Sequence, residues 1–517
     1  MPTLAPYVTQ YARTGMVASI DQLASSAGVA MLRAGGSAAD AAIAANAVLA
    51  VTAQHLCGLG GDLFALVHGP GDERPACLNA SGRAGSGADP DRLRAEGHEA
   101  IPKEGDIRAT PVPGCVDGWV ALHERCGRLP LGELLEPARA YAEGGFPALP
   151  TLAGWTASEG LQGVAHADDY TASGPLGPGG VIRRPGVART LRAIADRGRE
   201  GFYQGEFGER LLELGNGEYT VADLARSQAD WVEPISVEAW NRRVWTAPPN
   251  SQGYITLSAA RIAQGLDLPA EPADGLWAHL LVEAARHAGF DRDEVLHEKA
   301  SGEVLIADDR LEPRLHAIDP ERASAPGAVQ ARGDTMYLCA VDGDGMGVSL
   351  IQSNYVGFGS MVVVPEVRIF LQNRGAGFSL EPGHPAEYGP GRLPPHTLAP
   401  ALVTNRDGSL AAVLGTMGGD AQPQIVLQLL ARYYGAGETA GDVLAAPRFI
   451  LGGPDGVEVE DHAPSSWFEG LAARGHAVVR RPAWSHGFGH AHLIAVEDGV
   501  FAGAADPRSL GGAAAGY

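Results

Sequence analysis

The first residue that could do chemistry is a threonine at a junction between a linker and a strand. Residues 319–333 are rich in Ala, Pro, Gly and Arg without periodicity, which predicts an exposed linker, and the apolar run 336–341 predicts a strand. If the chain is cut before Thr335, the new α-amino group lies beside its hydroxyl. An α-amine with a pKa of about 7.7–8.0 can serve as the general base for that hydroxyl. The alternative interpretation is that Thr335 only begins the strand.

A pair of glycines is the second candidate. Gly418 and Gly419 lie between a predicted strand at 410–415 and a predicted helix at about 422–435. Backbone N–H groups at such a turn, beside a helix N-terminus, can stabilise a developing oxyanion. An ordinary strand-to-helix turn would use the same residues, so the pattern leaves both interpretations open.

Two further groups could bind ligands. Arg83 follows a short predicted strand, and a guanidinium can hold a carboxylate in a bidentate pair, although a surface salt bridge is the commoner role of a single arginine. His486, His490 and His492 are close enough in sequence to suggest a metal site. Packing and hydrogen bonding are the favoured explanation, because no carboxylate motif accompanies them and glycines interrupt the run, so we expect no bound metal.

Composition excludes several classes of protein. The 517 residues carry 39 Lys and Arg against 61 Asp and Glu, a net charge of −22, whereas an electrostatic nucleic-acid binder needs a basic surface. The five cysteines form no CxxC pair, which argues against a disulfide framework or a structural zinc site. No signal peptide or long apolar run is present, so we expect a cytoplasmic protein without a membrane partner.

The glycine-rich run 58–61 comes before a predicted strand rather than between a strand and a helix. That context is wrong for a dinucleotide or phosphate loop, and we expect no cofactor. Residues 18–54 predict two helices separated by a glycine break, with Ser37 and Asp40 as a capping box. Further helices are predicted near 119–125, 131–143, 186–214, 254–265 and 274–290, and further strands at 63–67, 347–351, 361–371 and 400–404.

Motifs spread along nearly the whole chain resemble the γ-glutamyltranspeptidase family, and they occur in that family's order. They are RTGMVAS at 13–19, LASSAG at 23–28, GGSAADAA at 35–42, GLGG at 58–61, TPVPG at 110–114, FYQG at 202–205, PPNS at 248–251 and DPRSLG at 506–511.

The resemblance implies an α+β fold, a four-layer αββα sandwich with two central antiparallel sheets, called the N-terminal nucleophile hydrolase fold. It also implies a proenzyme that cuts itself into a large segment, 1–334, and a small segment, 335–517. Both segments belong to one composite fold and stay associated after the cut. The oligomeric state is left open between one processed unit and a homodimer of it.

Individual roles carry over to matching positions. Thr335 matches the family's nucleophile, and Ser353 matches a second hydroxyl, usually threonine, that assists it. Gly418 and Gly419 match the pair that forms the oxyanion hole. Arg83 matches the arginine that binds the α-carboxylate of the γ-glutamyl group.

The chain departs from the family around the donor group. Gly377 stands where the family has the aspartate that binds the substrate's α-ammonium group. Tyr355 replaces an asparagine of the donor site, and His396 and Thr397 stand where many members have a pair of serines. The stretch 378–396 is also shorter than the usual lid segment. We therefore expect Tyr355, His396 and Thr397, together with the anchoring arginine, to line an altered substrate pocket.

These departures favour a small amide that bears a carboxylate but no ammonium, because an ammonium ion would lose its partner in a desolvated pocket. The stretches LQNRG at 371–375 and PHTL at 395–398 resemble the branch of oxamate amidohydrolase type. Asp420 or Glu381 could hold an ammonium group instead. Two alternatives therefore stay open: a γ-glutamyl hydrolase or transferase acting on glutathione, and an unprocessed, non-enzymatic homologue.

Overall fold

The fold is described from a computed structural model, which covers residues 8–324, 333–452 and 456–517. The strands in chain order are β1 Gln10–Ala12, β2 Gly15–Ser19, β3 Asp62–His68, β4 Ala76–Ala80, β5 Phe146–Pro147, β6 Val181–Ile182, β7 Asp230–Val232, β8 Ile235–Ala239, β9 Arg242–Thr246, β10 Asp334–Asp342, β11 Gly347–Tyr355, β12 Val363–Val364, β13 Ile369–Phe370, β14 Ala401–Thr404, β15 Leu410–Thr416, β16 Phe449–Gly452, β17 Gly456–Glu460, β18 Val478–Arg481, β19 Ala491–Glu497, β20 Val500–Ala505 and β21 Ala513–Gly516.

The α-helices connect and cover these strands. In chain order they are α1 Gln22–Arg33, α2 Ala38–Thr52, α3 Pro90–Ala95, α4 Cys115–Cys126, α5 Leu131–Gly144, α6 Pro150–Thr156, α7 Glu159–Gln162, α8 Asp168–Thr171, α9 Pro185–Arg197, α10 Arg199–Tyr203, α11 Glu206–Gly215, α12 Val221–Ala225, α13 Gly253–Gln264, α14 Gly275–Gly289, α15 Arg292–Val295, α16 Gly302–Leu305, α17 Asp308–His316, α18 Gln422–Leu430, α19 Ala440–Ala445 and α20 Ser465–Ala473.

The helical break near the N-terminus is confirmed. The Ser37 side chain accepts a hydrogen bond from the backbone N–H of Asp40, and the Asp40 carboxylate accepts one from the backbone of Ser37, which is the predicted capping box. The helix that follows, α2, is buried along its whole length. Its alanines let it pack closely between a sheet and other helices.

Three predicted elements differ from the structure. The strand expected at 361–371 is the short hairpin β12–β13, because Pro365 lacks an N–H and Glu366 and Arg368 adopt φ angles of 59° and 52°. The helical stretch at 186–214 is three helices, α9 to α11, and the predicted helix at 422–435 ends in a π-helical turn after α18. Of the expected linker, residues 325–332 lie outside the described residues.

Two seven-stranded antiparallel sheets form the centre of the fold. We call β1-β20-β19-β15-β14-β9-β8 sheet I and β21-β2-β10-β11-β3-β4-β7 sheet II, each in spatial order. Helices α1, α2 and α4 cover the outer face of sheet II, while α13, α14 and α18 lie outside sheet I. A third apolar cluster, which includes Phe64, Tyr337, Ile351, Leu402 and Val413, fills the space between the sheets. The predicted αββα sandwich is therefore confirmed.

Both sheets contain strands from each side of the expected cleavage site. In sheet II, β10 pairs with β2 and β11 pairs with β3. In sheet I, β14 pairs with β9 and β20 pairs with β1. Separating the two parts of the chain would break the hydrogen-bond ladders of both sheets and expose the apolar layer between them.

The cysteines form no disulfide bonds. Cys57, Cys77, Cys115 and Cys339 are free and buried, and Cys126 is free and partly exposed. The helices of the three described ranges are also too short or too polar to cross a lipid bilayer.

Four buried histidines predict a loss of stability in acid. Burial lowers the pKa of His55, His476 and His492 to about 3 and that of His396 to about 4. In the unfolded chain each imidazole has a pKa of about 6.5, so between pH 6.5 and the folded value the unfolded state binds more protons. The free energy of unfolding therefore decreases as the pH is lowered through that window, and each of these histidines contributes to the decrease.

We expect the urea midpoint at pH 5 to lie clearly below that at pH 7.5. His492→Leu removes one of these buried titrations, so it should make the midpoint less dependent on pH, whereas His166→Gln, at an exposed position, should not. Equal midpoints at the two pH values would contradict the assignment of neutral buried histidines.

Candidate active site

Three polar side chains continue the inner face of sheet II beyond its apolar part. Ser353 on β11 pairs in register with Asp62 on β3, and Thr335 lies on the neighbouring strand β10. Side chains alternate along a strand, so Ser353 and Asp62 face the same way as Ile351 and Phe64, which lie in the layer between the sheets. The β10–β11 register is irregular at Thr335, and this residue is placed instead by its hydroxyl contact with Ser353. Thr335, Ser353 and Asp62 therefore lie between the sheets.

The two predicted hydroxyl groups are in contact. Thr335 Oγ1 lies 3.1 Å from Ser353 Oγ. The Ser353 hydroxyl donates to the carbonyl oxygen of Asp334 at 2.7 Å and accepts from the backbone N–H of Tyr355 at 2.7 Å. Because the single Ser353 proton goes to that carbonyl, Thr335 donates its own proton to Ser353. The bond before Thr335 thus has a polarised carbonyl and an oriented nucleophile beside it.

The side chain of Asp334 fixes this junction from both sides. Its Oδ2 accepts from the backbone N–H of Gly357 at 2.9 Å, and its Oδ1 lies 3.3 Å from His486 Nε2. His486 therefore contacts the junction, whereas His490 and His492 are buried, and burial lowers the pKa of both imidazoles. Of the three histidines, His486 therefore contacts the junction, while His490 and His492 pack in the interior.

The predicted glycine turn lies next to the segment before Thr335. Gly418 and Gly419 have φ angles of 134° and 57°, and a short turn leads from them into α18. A Cβ built on Gly333 would lie 3.2 Å from the Cα of Gly419, so the two segments are adjacent. Gln252 Nε2 donates to the carbonyl oxygens of Gly419 at 3.0 Å and of Thr397 at 2.9 Å. These bonds connect the glycine turn to the segment that carries Thr397.

A buried arginine contacts the residues predicted to line the substrate pocket. The Arg374 side chain is 1% exposed; its Nε donates to Asp62 Oδ2 at 2.9 Å and its Nη1 donates to Thr397 Oγ1 at 2.8 Å. The guanidinium carbon lies 4.2 Å from the centroid of the Tyr355 ring, so a cation–π contact covers one face of it. The predicted pocket residues Tyr355 and Thr397 are therefore brought together by Arg374.

His396 belongs to the same cluster as a neutral donor. Its Nδ1 accepts from the backbone N–H of Leu398 at 3.2 Å, which places its proton on Nε2, 2.9 Å from Asp62 Oδ2. Burial and the nearby Arg374 lower the pKa of His396 to about 4. Burial raises the pKa of Asp62, but Arg374 and His396 outweigh it and the net direction is down. Asp62 is thus an ionised carboxylate held by two donors.

The candidate ammonium-binding positions are neutral, paired or remote. Gly377 has no side chain, and a Cβ there would lie 3.0 Å from the carbonyl oxygen of Pro395. Asp420 forms an ion pair with Arg292, with 3.2 Å between Oδ1 and Nη2. Glu381 is exposed on the surface. The carboxylate of Asp420 is therefore already balanced by a cation.

Arg83 lies at the edge of sheet II. Its Nη2 forms an ion pair with Asp230 on β7, whose side chain is 49% exposed, and its backbone N–H donates to Gln228 Oε1 at 3.1 Å. This contact matches the salt bridge that the sequence left open. The carboxylate-binding role of Arg83 stays a prediction.

One cluster of potential metal ligands lies away from this pocket. In the part of the chain that the structure describes, His279, Glu283 and His476 are close enough to share an ion, and the 486–492 run is not. His279 Nδ1 lies 2.7 Å from His476 Nε2, so these rings hydrogen-bond directly. Glu283 also accepts from the backbone N–H of Ser324 at 3.1 Å, so its carboxylate already has a protein donor.

The layered αββα fold is that of the N-terminal nucleophile hydrolases. The chain belongs to the γ-glutamyltranspeptidase family, whose model matches residues 24–516, and it is a hydrolase of that family. The predicted family is confirmed.

Individual relatives match over nearly the full length. The chain is 36% identical to the oxamate amidohydrolase proenzyme of Klebsiella pneumoniae, over 97% of this chain and 98% of that protein. It is 35% identical to the glutathione hydrolase-like YwrD proenzyme of Bacillus subtilis, over 96% and 98%. The crystal structure of cephalosporin acylase from Bacillus halodurans has a TM-score of 0.92 and 34% identity, and the match covers 100% of this chain and 98% of that one.

Proposed function

We propose that this protein is a self-processing threonine amidohydrolase that hydrolyses a small amide with a carboxylate and no α-ammonium group, such as oxamate. The observation that carries the proposal is the charge balance of the pocket. Asp62 is paired with Arg374, Asp420 is paired with Arg292, and Gly377 offers no side chain. A substrate ammonium would have to share a carboxylate that an arginine already holds, whereas a substrate carboxylate can accept from Arg374 Nη2, which has no hydrogen-bond partner among the described residues.

The contacts at the junction support self-cleavage. Thr335 Oγ attacks the carbonyl carbon of Asp334, and Ser353 accepts the hydroxyl proton, which passes to the departing amide nitrogen. The C–N bond breaks and leaves an ester, and water hydrolyses this ester to an Asp334 carboxylate and a free Thr335 amine. The proenzyme names of the Klebsiella and Bacillus relatives support this step, and strand pairing across both sheets keeps the fragments together.

The same hydroxyl then acts on the substrate. The new α-amine takes the Thr335 proton as Oγ attacks the amide carbonyl, and the N–H groups of Gly418 and Gly419 face the oxyanion. The proton passes to the leaving nitrogen and ammonia departs, which leaves an acyl ester on Thr335. Water, activated by the α-amine, hydrolyses that ester, so oxamate would yield oxalate and ammonia.

A second candidate is hydrolysis of γ-glutamyl compounds, which the name of the Bacillus subtilis relative favours. A panel of oxamate, glutathione and a γ-glutamyl anilide separates the two candidates on the processed enzyme. We expect the highest kcat/KM for oxamate, measured by ammonia release, and no turnover in a Thr335→Ala preparation made in the same way. A higher kcat/KM for glutathione would contradict the proposal and support the second candidate.

A further inference from the structure

We infer that Arg374 is the residue that binds the substrate carboxylate; this rests on the function proposed above and names the anchor of that site. Two of the three guanidinium nitrogens are already used, Nε by Asp62 and Nη1 by Thr397. Nη2 is buried and has no hydrogen-bond partner among the described residues. A buried donor without a partner costs about 1–3 kcal/mol, so this nitrogen requires an acceptor that the described residues do not provide.

The anchor lies close to the nucleophile. Asp62, which holds Arg374, is the register partner of Ser353, and Ser353 Oγ lies 3.1 Å from Thr335 Oγ1. Cα atoms of directly opposed residues in antiparallel strands are about 4.5–5.5 Å apart. The guanidinium therefore lies within one side-chain layer of the attacking oxygen. That spacing suits an acid whose carboxylate is bonded directly to the scissile carbonyl, or is one carbon removed from it.

The surroundings of Arg374 orient its free edge. Tyr355 covers one face of the guanidinium, and the two hydrogen bonds fix its plane, so the ligand must approach in plane at Nη2. Charge-assisted hydrogen bonds in such a preorganised, desolvated place are strong and selective. Asp62 Oδ1 is also buried without a described partner. We assign it as the acceptor for an N–H of the substrate amide, which makes the Arg374–Asp62 pair complementary to oxamate.

This assignment differs from the anchor expected from the family resemblance. Arg83 also has a buried nitrogen, Nη1, without a hydrogen-bond partner among the described residues. Its Nη2, however, is held by Asp230, a half-exposed carboxylate at a sheet edge, where water weakens ionic contacts. Arg374 is buried and lies in the cluster that contains Tyr355, His396 and Thr397. The three pocket positions at which the chain departs from the family are thus assembled around Arg374.

The test compares Arg374→Lys with the wild type on oxamate and on oxamide, its neutral isostere, followed as a substrate or as a competitive inhibitor. Lysine keeps the charge but loses the fork, so kcat/KM for oxamate should fall by about 10- to 150-fold while oxamide is little affected. Self-cleavage on a denaturing gel reports that the nucleophile and Ser353 are intact. Arg432→Lys, at a buried arginine paired with Glu438 outside the pocket, is the matched control.

Equal losses on oxamate and oxamide would show a structural role and overturn the inference, and so would a selective loss in Arg83→Lys with none in Arg374→Lys. If the lysine variant does not fold, the double variant Asp62→Asn, Arg374→Gln removes both buried charges together and should lower kcat/KM for oxamate more than that for oxamide. A wild type that prefers glutathione refutes the proposed function instead. The ranking of substrates by the wild type therefore tests the proposed function, and the comparison of oxamate with oxamide tests the role of Arg374 separately.

Discussion

Thr335→Ala is expected to remain one uncut chain of 517 residues without amidohydrolase activity. Among the described residues, Ser353 Oγ accepts from two donors at the junction, the Thr335 hydroxyl and the backbone N–H of Tyr355. Of these two groups, only the hydroxyl can act as a nucleophile. Removing it leaves the Asp334 carbonyl polarised but without an attacking group. A denaturing gel distinguishes the intact chain from the fragments 1–334 and 335–517.

Two variants serve as controls for this result. Thr335→Ser keeps the hydroxyl and should still cut, and Ser349→Ala removes a hydroxyl on the same strand as Ser353 that instead contacts Tyr337. Efficient cutting of Thr335→Ala would place the nucleophile elsewhere. A wild-type chain that never cuts would favour the unprocessed homologue.

Local sequence patterns predicted the elements that hold the nucleophile, because their signals are local. The Ser37–Asp40 capping box and the hairpin of β10 and β11 depend on residues a few positions apart, and both are present. The two-sheet sandwich has no such local signal, since its cross-strand pairs join distant segments. It followed from the family resemblance instead, and the register of β3 with β11 appeared only in the structure.

The buried pair of Asp62 and Arg374 was missed for the same reason. Asp62 and Arg374 are 312 positions apart, and neither has a recognisable spacing to Thr335. A weak signal did exist, because Asp62 is a charged residue at the start of a strand that is buried throughout. A buried carboxylate must be paired, and it therefore implies a cationic partner somewhere in the chain. Identifying Arg374 as that partner required the fold.

Gly377→Asp is expected to shift the enzyme from carboxylate-bearing amides toward γ-glutamyl donors. The glycine ends the turn that begins at Arg374, so a carboxylate there adds negative charge near the proposed anchor. It should repel the oxamate carboxylate and give an ammonium group a partner. We expect kcat/KM for oxamate to fall by about tenfold or more, and that for glutathione to rise relative to it.

Steric strain is the competing explanation for any change at this position. A Cβ on Gly377 would lie 3.0 Å from the Pro395 carbonyl oxygen, which is tight enough to move the neighbouring backbone. Gly377→Asn introduces almost the same shape without the charge and is therefore the matched control. The ratio of kcat/KM for glutathione to that for oxamate should rise in the aspartate variant and not in the asparagine variant. An equal ratio in both variants would mean that position 377 does not face the substrate, and the ammonium site of the family would then have no counterpart at this residue.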